Sequence, residues 1–340
     1  MNIKKKPTTK KFQRKFFVSD IGESGIINLI KTKIAKKFQR KFFVSDIGDD
    51  CAVIEKNKRV YQIFKVSSLV EDVHFSLKWS TPRQIGIKAI ESSISDIAAM
   101  GGIPEYALVS LGLPPNIETD FVNNFYDGII TTSKKYNISI IGGDITKSRK
   151  IFIGVFLIGR VEKKFLASRG NAKVGELIFC TGDVGKSKTG LELLKNNMDG
   201  KTIKIHLEAK CRLDLSRKLV SAGVKTMIDV SDGVASEIKK ICDESKVGAV
   251  IYFDKLPISK ITIQDAEKLK MNPIELALYG GEDFELIFTA PKSFLKNLDA
   301  NINLDSNIIG EVVDKKDGCR ISRKGKFGKV GKGFDHFNIK

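Results

Sequence analysis

Four short segments of this chain place glycine beside carboxylates, next to apolar runs. They are Gly48-Asp49-Asp50, Gly142-Gly143-Asp144, Asp229-Val230-Ser231-Asp232-Gly233 and Gly280-Gly281-Glu282-Asp283. Glycine lets a backbone approach a phosphate closely, and carboxylate oxygens are the ligands that Mg2+ prefers. A fifth acid, Asp96, lies in a segment that is otherwise apolar on several sides. Each segment alone is also compatible with a solvated turn, but together they predict a Mg-phosphate site of the kind that phosphoryl transfer needs.

Standard nucleotide-binding motifs are absent from the sequence. It contains no strand–GxxxxGK–helix phosphate loop and no GxGxxG between a strand and a helix. The segment Gly182–Lys186 (GDVGK) has a similar composition but lacks the spacing, so we expect a turn there. The predicted phosphate site therefore depends on acids that meet in the fold rather than on one contiguous loop.

Cysteine and histidine usage narrows the type of site further. The five cysteines are scattered and form no CxxC pair, which argues against a disulfide framework and a zinc site and suits a reducing cytoplasm. Acids without Cys or His ligands favour Mg2+ instead. Among the three histidines, His74 and His336 are open between a binding role and an ordinary one, and we expect His206 at the surface.

The net charge of +18 is concentrated at the N-terminus. Residues 1–41 carry thirteen Lys and Arg against Asp20 and Glu23, which leaves only +7 for the rest of the chain. Such a segment could contact RNA, anionic lipid or ATP, or it could be a solvated lysine-rich surface. We expect the solvated surface, so nucleic acid is an unlikely partner. No apolar run approaches the roughly 20 residues that a membrane helix needs.

An internal repeat precedes the first acidic pair. Residues 10–22 recur without a change as residues 36–48. Only the second copy leads into Asp49 and Asp50, because the first is followed by Glu23 and Ser24. Two copies do not make a solenoid, so we interpret the repeat as a local duplication. We expect residues 1–20 to be an appended, poorly ordered basic arm.

Hydrophobic periodicity predicts an α+β protein with mixed sheets flanked by helices. The length and the 42% hydrophobic content favour two domains, which we place at 21–160 and 161–340. The predicted helices cover about 26–35, 81–100, 119–136, 187–196, 208–221, 234–242 and 273–278. The predicted strands cover about 42–44, 52–54, 60–66, 106–113, 138–141, 151–161, 177–181, 227–230, 249–253 and 284–289, with short strands after 307.

Several motifs together resemble the thiamine-monophosphate kinase family, in the superfamily that includes aminoimidazole-ribotide synthetase. The matching segments are IGDDCAVI (47–54), LVEDVHF (69–75), KAIESSISDIAAMGGIPEYALVSLGLP (88–114), IIGGDITKS (140–148), SRGNAKVGE (168–176), IDVSDGVASEI (228–238), YGGEDFELIFTAP (279–291) and GKGFDHF (331–337). They cover the chain from about residue 21 to its end, in the family's order. The resemblance implies the two-domain aminoimidazole-ribotide synthetase-like architecture.

The resemblance also implies roles for individual residues. Five aspartates match positions of Mg2+ ligands: Asp50, Asp96, Asp144, Asp229 and Asp232. Positions of ATP contacts are matched by Gly143, Asp144, Arg169 and Ser231. Positions around the thiamine moiety are matched by His74, Glu282 and Phe334. Arginine can fork onto phosphate oxygens, and an aromatic ring can face a cationic thiazolium. No residue is expected to act as a general base, because positioning and metal ions carry the reaction.

One segment departs from the family pattern. The family usually has an aspartate that bridges two metal ions where this chain has Ser67. The two preceding positions are Lys65 and Val66, and Asp72 stands where glycine is usual. A serine hydroxyl is a weaker ligand than a carboxylate, so one Mg2+ could be lost or loosely held. Lys65 could replace it as a fixed cation, or Asp72 could move in.

The resemblance implies an ATP-dependent kinase that converts thiamine monophosphate to thiamine diphosphate with several Mg2+. It also implies a cytoplasmic homodimer with ATP and thiamine monophosphate as its substrates and no membrane partner. Two alternatives remain open from the residues. One is another ATP-using member of the superfamily, such as an aminoimidazole-ribotide synthetase. The other is a nucleotide-binding protein with weak or no turnover, on account of Ser67.

Overall fold

The computed structural model describes residues 17–35, 43–45, 47–297, 308–331 and 333–337. These residues fall into two compact units, one formed by the first helix with the residues from Asp335 onward and the other by residues 40–334. Most of the basic N-terminal arm, and part of each copy of the repeat, lie outside the described residues. No helix in the described part of the chain is long and apolar enough to span a membrane.

The first unit contains helix α1 (Val18–Ala35). It begins eight residues before the predicted start, and it bends at Gly22, whose φ of 64° few other residues adopt. The carboxylate of Asp335 accepts a hydrogen bond from the Glu23 amide at 3.3 Å. Val18 to Gly22 belong to the first copy of the repeat, so this copy ends in a helix.

The N-terminal part of the second unit is a six-stranded mixed sheet. Its strands are β1 (Phe43–Ser45), β2 (Ala52–Glu55), β3 (Val60–Val70), β4 (Ile103–Leu113), β5 (Ser139–Lys147) and β6 (Phe152–Glu162). Their order is β1-β2-β3-β6-β4-β5, and β4–β5 is the parallel pair among antiparallel ones. Helices α2 (Pro82–Ala99) and α3 (Thr119–Lys135) pack on this sheet and on each other. The core between them is rich in isoleucine and valine.

Local signals account for the position of α2. Thr81 caps its start in a capping box with Gln84, and Pro82 occupies the first turn. The helix stops before Gly101, whose φ is 69°. Twelve of its eighteen residues are buried, which fixes the direction in which each side chain of the helix points. The predicted helix 81–100 is therefore confirmed.

The C-terminal part of the second unit is a seven-stranded mixed sheet. Its strands are β7 (Leu177–Cys180), β8 (Thr226–Asp229), β9 (Gly248–Tyr252), β10 (Leu286–Ala290), β11 (Ile308–Val313), β12 (Cys319–Arg323) and β13 (Lys326–Lys329). The order is β13-β12-β9-β11-β7-β10-β8. Its helices are α4 (Lys186–Lys195), α5 (Lys201–Leu207), α6 (Leu213–Ser221), α7 (Val234–Ser245), α8 (Lys260–Lys268) and α9 (Pro273–Tyr279). The predicted α+β class with mixed sheets is confirmed.

Elsewhere, the predicted elements and the structure differ in several places. The helix predicted at 208–221 corresponds to α6, but it begins only at Leu213, because the residues that follow the end of α5 at Leu207 are not helical. Helices α5 and α8 were not predicted. The strand predicted at 138–141 continues as β5 to Lys147, because these residues pair with β4 along their whole length. Consequently the Gly142-Gly143-Asp144 segment lies inside a strand rather than after one.

Candidate active site

Three of the predicted metal ligands meet between the two sheets. Asp50 precedes β2, Asp96 lies in the last turn of α2, and Asp229 ends β8. Each offers a carboxylate oxygen, and these oxygens all lie within 4.8 Å of one another. We call these three residues the acidic cluster. Asp50 and Asp229 are buried, and the Asp96 side chain is 16% exposed.

Packing of α2 against β8 assembles the cluster. The Ser95 hydroxyl on α2 donates a 2.6 Å hydrogen bond to Oδ2 of Asp229. Asp229 is held in turn by the pairing of β8 with β10, where it lies opposite Leu286. The contact joins residues 134 positions apart, so it depends on the tertiary structure.

Two side-chain cations contact the cluster. Arg169 binds Oδ1 of Asp50 and also donates to the Gly48 carbonyl at 3.1 Å. Lys65 Nζ lies 2.8 Å from Oδ1 of Asp96. The other oxygen of Asp50, Oδ2, is buried and has no hydrogen-bond partner in the described part of the chain. An unpaired buried carboxylate oxygen is costly, and a cation would satisfy it.

The electrostatics of the cluster also favour a cation. Burial, and then the charges of Asp96 and Asp50, raise the pKa of Asp229 well above its usual value. Burial raises the pKa of Asp96 despite the opposing charge of Lys65, and Asp50 raises it further. Burial alone would lower the pKa of Lys65, but the charge and hydrogen bond of Asp96, with smaller contributions from Cys51 and Asp50, together outweigh it and the pKa is raised. The carboxylates therefore repel one another, and a cation between them would relieve the repulsion.

Asp232 takes part in a neighbouring network. Its Oδ2 lies 2.7 Å from Lys240 Nζ, and its amide donates to Oε1 of Glu237 at 2.9 Å. The Glu237 carboxylate also lies 3.0 Å from Lys240 and is buried, and burial raises its pKa. Ser231 is at the same corner, where its hydroxyl donates to Glu237 at 3.4 Å. Glu237 and Lys240 were not identified from the sequence. The signal available for Glu237 was its position as an acid in the first turn of α7.

Asp144 lies on the edge strand β5 and is exposed, opposite Ser110 of β4. It is not part of the group of carboxylates that lie within 4.8 Å of one another in the described residues. The preceding Gly143 is explained by close packing, because a Cβ atom there would lie 1.9 Å from the Val109 carbonyl oxygen. Gly143 thus lets β5 approach β4 closely.

Ser67 and Lys65 share one face of β3. Side chains alternate along a strand, so residues 63, 65, 67 and 69 point to the same side, and Ile63 and Leu69 on that side are buried in the core. Ser67 itself pairs with Val155 of β6 and is half-buried. The structure thus places Lys65, rather than an acid at position 67, in contact with the acidic cluster.

A second group of polar side chains surrounds Glu282. Lys88 of α2 donates to the His74 carbonyl at 2.6 Å and lies 2.7 Å from Oε1 of Glu282. The ring Nδ1 of His74 accepts the Val70 amide at 3.0 Å. Burial works against the charge of Glu282, but Lys88 and smaller contributions from its other neighbours together outweigh burial and lower the pKa of Glu282. Lys88 therefore links two residues predicted to surround one substrate, and sequence reasoning missed it.

The expectation that His206 lies at the surface is wrong. It is 6% exposed, on α5. Its Nδ1 is 2.9 Å from the Ser187 hydroxyl and 3.9 Å from Oε2 of Glu282. Burial, and then the Lys88 charge, lower its pKa to about 4, so the ring is neutral near pH 7. Its burial results from the packing of α5 against α4, which local sequence does not reveal.

Phe334 follows the last strand and is 51% exposed. Its amide donates to the Asp232 carbonyl at 3.3 Å. This hydrogen bond connects the end of the second unit to the Asp232 corner. The Phe334 side chain is thus about half exposed, on a segment whose backbone contacts the Asp232 corner.

Comparison with known proteins identifies the family. Residues 48–161 match the family described as "AIR synthase related protein, N-terminal domain", and residues 173–321 match its C-terminal domain. A thiamine-monophosphate kinase from Aquifex aeolicus is 35% identical over 318 residues, which cover 91% of this chain and 98% of the relative. The chain belongs to the thiamine-monophosphate kinase family.

Further relatives and a solved structure agree with this. The thiamine-monophosphate kinase of Bacillus subtilis is 36% identical, over 85% of this chain and 92% of the relative. The structure described as "AaThiL complexed with AMPPCP and TMP" is 33% identical and has a TM-score of 0.84. The matched region covers 96% of this chain and 100% of the chain in that structure. The aminoimidazole-ribotide synthetase-like two-domain fold is therefore confirmed.

Within the thiamine-monophosphate kinase family, this chain has two separate clusters of the predicted residues. Asp50, Asp96 and Asp229 meet directly, with Arg169 on Asp50. His74 and Glu282 are joined through Lys88. The roles of these residues as ligands remain predictions, as do those of Gly143, Asp144, Ser231, Asp232 and Phe334.

Proposed function

We propose that this chain transfers the γ-phosphoryl group of ATP to thiamine monophosphate, giving thiamine diphosphate and ADP. Membership of the thiamine-monophosphate kinase family supports this reaction, as does the likeness to a structure whose description names both AMPPCP and TMP. The observation that carries it in this chain is the acidic cluster, with its buried and unpaired Asp50 oxygen.

The acidic cluster fits Mg2+, since it offers hard carboxylate oxygens without Cys or His ligands. Asp50, Asp96 and Asp229 would hold the ion, and Asp144 and Asp232 are the further proposed ligands. Bound Mg2+ would neutralise phosphate charge during transfer. Arg169, already fixed by Asp50 and Gly48, is positioned to donate to phosphate oxygens. Gly143 and Ser231 are the remaining proposed ATP contacts.

The reaction needs orientation more than proton transfer. An anionic oxygen of thiamine monophosphate attacks the γ-phosphorus, and the bond from this phosphorus to the β–γ bridging oxygen breaks. The electron pair leaves with ADP. Because the nucleophile is already ionised, the chain needs no general base. Its own contribution is to hold the two substrates in line and to balance their charges.

Recognition of the thiamine moiety is assigned to His74, Glu282 and Phe334. The Glu282 carboxylate has a lowered pKa and therefore stays charged opposite a cationic thiazolium. The exposed ring of Phe334 offers a face for a cation–π contact. His74 is fixed by the Val70 amide, which orients its ring.

We also propose a cytoplasmic homodimer. Apolar side chains are exposed on the edge strand β5 and on strands of the same sheet: Val66, Tyr106, Ile141, Ile145 and Phe152. Exposed edges and apolar patches favour pairing with another chain. The free state of all five cysteines suits a reducing compartment. Light scattering on the purified chain tests the dimer, and Ile145→Asp should shift it towards monomer.

The decisive experiment is a coupled ADP-release assay with thiamine monophosphate. ADP and thiamine diphosphate should form in equal amounts with Mg-ATP. Release of ADP with formylglycinamidine ribotide, and none with thiamine monophosphate, would instead indicate an aminoimidazole-ribotide synthetase. ATP binding without any product at saturating Mg-ATP would indicate a nucleotide-binding protein.

One observation favours a nucleotide-binding protein with weak or no turnover. Lys65 contacts Asp96 directly, and Ser67 on the same face of β3 is not a carboxylate. If the missing carboxylate limits catalysis, Ser67→Asp should raise turnover and lower the Mg2+ concentration needed. No gain with this variant would show that position 67 does not limit the reaction.

A further inference from the structure

Lys65 is the unusual member of the site. It occurs on the core-facing side of β3, two residues after the buried Ile63, where an apolar side chain would ordinarily pack. Its ammonium instead reaches the last turn of α2 and lies 2.8 Å from Asp96. Both side chains are largely covered, with 22% and 16% exposure, so solvent screens their attraction only partly.

The two cations at the acidic cluster leave different oxygens available. Of the two Asp50 oxygens, Arg169 binds Oδ1, and Oδ2 remains buried and unpaired in the described residues. That side of the cluster can still accept a divalent ion. On the other side, Lys65 already occupies Oδ1 of Asp96. A divalent ion that used Asp96 would have to displace the ammonium or lie beside it, and like charges at such distances repel strongly.

We propose that Lys65 is a built-in cation of the acidic cluster, which competes with a divalent ion for Asp96. Before nucleotide binds, the cluster therefore holds fewer or weaker divalent ions than its three carboxylates alone would hold. This inference rests on the proposed function, because it assigns the cluster as the metal site of that reaction. If Lys65 only stabilised the fold as an ion pair, removing its charge would leave metal binding unchanged. The proposal predicts that metal binding changes.

The test is Mn2+ binding to the full chain without nucleotide, followed by electron paramagnetic resonance of the free ion. Mn2+ prefers oxygen ligands, as Mg2+ does. Lys65→Met keeps the side-chain length and removes the charge. This variant should bind Mn2+ about tenfold more tightly or bind one additional ion, as expected from removing a neighbouring charge. Lys58→Met, at an exposed turn before β3, is the matched control and should bind Mn2+ as the unchanged chain does.

Equal Mn2+ binding by the unchanged chain and Lys65→Met overturns the proposal, and so does an equal gain in Lys58→Met. If Lys65→Met does not fold, Lys65→Gln keeps a donor to Asp96 and carries the same expectation. Lys65→Arg retains the charge, so tighter Mn2+ binding in this variant would also contradict the proposal. The measurement contains neither ATP nor thiamine monophosphate. Its failure is therefore distinguishable from the failure of the kinase assay.

Discussion

The Ser95 hydroxyl donates a 2.6 Å hydrogen bond to Oδ2 of Asp229. Ser95 lies on helix α2, which packs on the N-terminal sheet, and Asp229 ends strand β8 of the C-terminal sheet. Both residues are buried. This bond therefore connects helix α2 to the C-terminal sheet at the proposed metal site, and it lowers the cost of burying the Asp229 charge.

Ser95→Ala should destabilise the protein and weaken divalent-ion binding. The buried Asp229 would lose a donor, which costs roughly 1 to 3 kcal/mol. Ser93→Ala is the control, since the Ser93 hydroxyl is equally buried on the same helix but bonds only to the Ala89 carbonyl. Urea denaturation and Mn2+ titration measure the two effects. Equal losses in both variants would show that the Ser95 bond has no special role.

Lys88→Met should raise the KM for thiamine monophosphate more than it lowers kcat. Glu282 would lose the ion pair that keeps it charged and oriented, and loss of one partner of such a pair costs roughly 2 kcal/mol or more. The KM should therefore rise about tenfold or more. Lys268→Met removes an ion pair with Asp265 on α8 and is the control. A purely structural role of Lys88 would instead leave the KM of the folded fraction unchanged.

Asp283 should make the protein less stable as the pH rises. Burial raises the pKa of the Asp283 carboxyl from 3.8 to about 7. The backbone amides of Gly185 and Ser187 donate to this carboxyl and oppose the increase. A raised pKa contributes stability that is present below about 3.8 and is lost as the pH rises to about 7. Asp283→Asn removes this loss. The free energy of unfolding of the variant, minus that of the unchanged chain, should therefore increase from pH 4 to pH 7; a constant difference would contradict the assignment.

His206 should have the opposite dependence on pH. Its folded pKa is lowered from 6.5 to about 4, so its contribution to stability is present above 6.5 and is lost as the pH falls to about 4. His206→Gln keeps a polar partner for Ser187. Relative to the unchanged chain, this variant should become more stable as the pH is lowered through this range. Thermal unfolding across the range measures the sign, and a difference of the other sign would show that His206 is charged in the fold.

Asp144→Ala should abolish phosphoryl transfer and leave the fold intact. The residue is exposed on β5 and outside the acidic cluster, so its loss removes little packing. If Asp144 is a metal ligand, metal binding in the presence of Mg-ATP should weaken together with turnover. Asp120→Ala, at an exposed acid in the first turn of α3, is the control. Activity close to that of the unchanged chain would show that Asp144 is not a ligand.

Much of the fold could be predicted from local signals. Pro82 directly after Ser80 and Thr81, and the run of apolar residues in β6, predicted helix and strand positions close to those observed. The helix predicted at 208–221 was placed too early at its start, because residues 208–212 are compatible with a helix until tertiary contacts are known. There, the Cys211 amide donates to the buried Glu91 of α2 at 2.8 Å, which holds this connection in place.

The repeat shows how far identical residues can differ in structure. Val18 to Gly22 lie in α1, whereas the same residues at 44–48 include the end of β1 and a bridge beside the acidic pair. Local sequence cannot separate the two outcomes because it is the same. Pairing of β1 with β2 holds the described residues Phe43–Ser45 of the second copy in an extended conformation.

The sequence by itself determined the family and the types of group at the site: glycine beside carboxylates, and serine in place of the usual aspartate at position 67. Tertiary structure decided which of these groups meet. It joined Asp50, Asp96 and Asp229 but not Asp144, and it placed Lys65 on Asp96 and Lys88 on Glu282. The physical reason is that these distances follow from how two separate sheets and their helices pack. A buried charge finds its partner across that packing rather than along the chain.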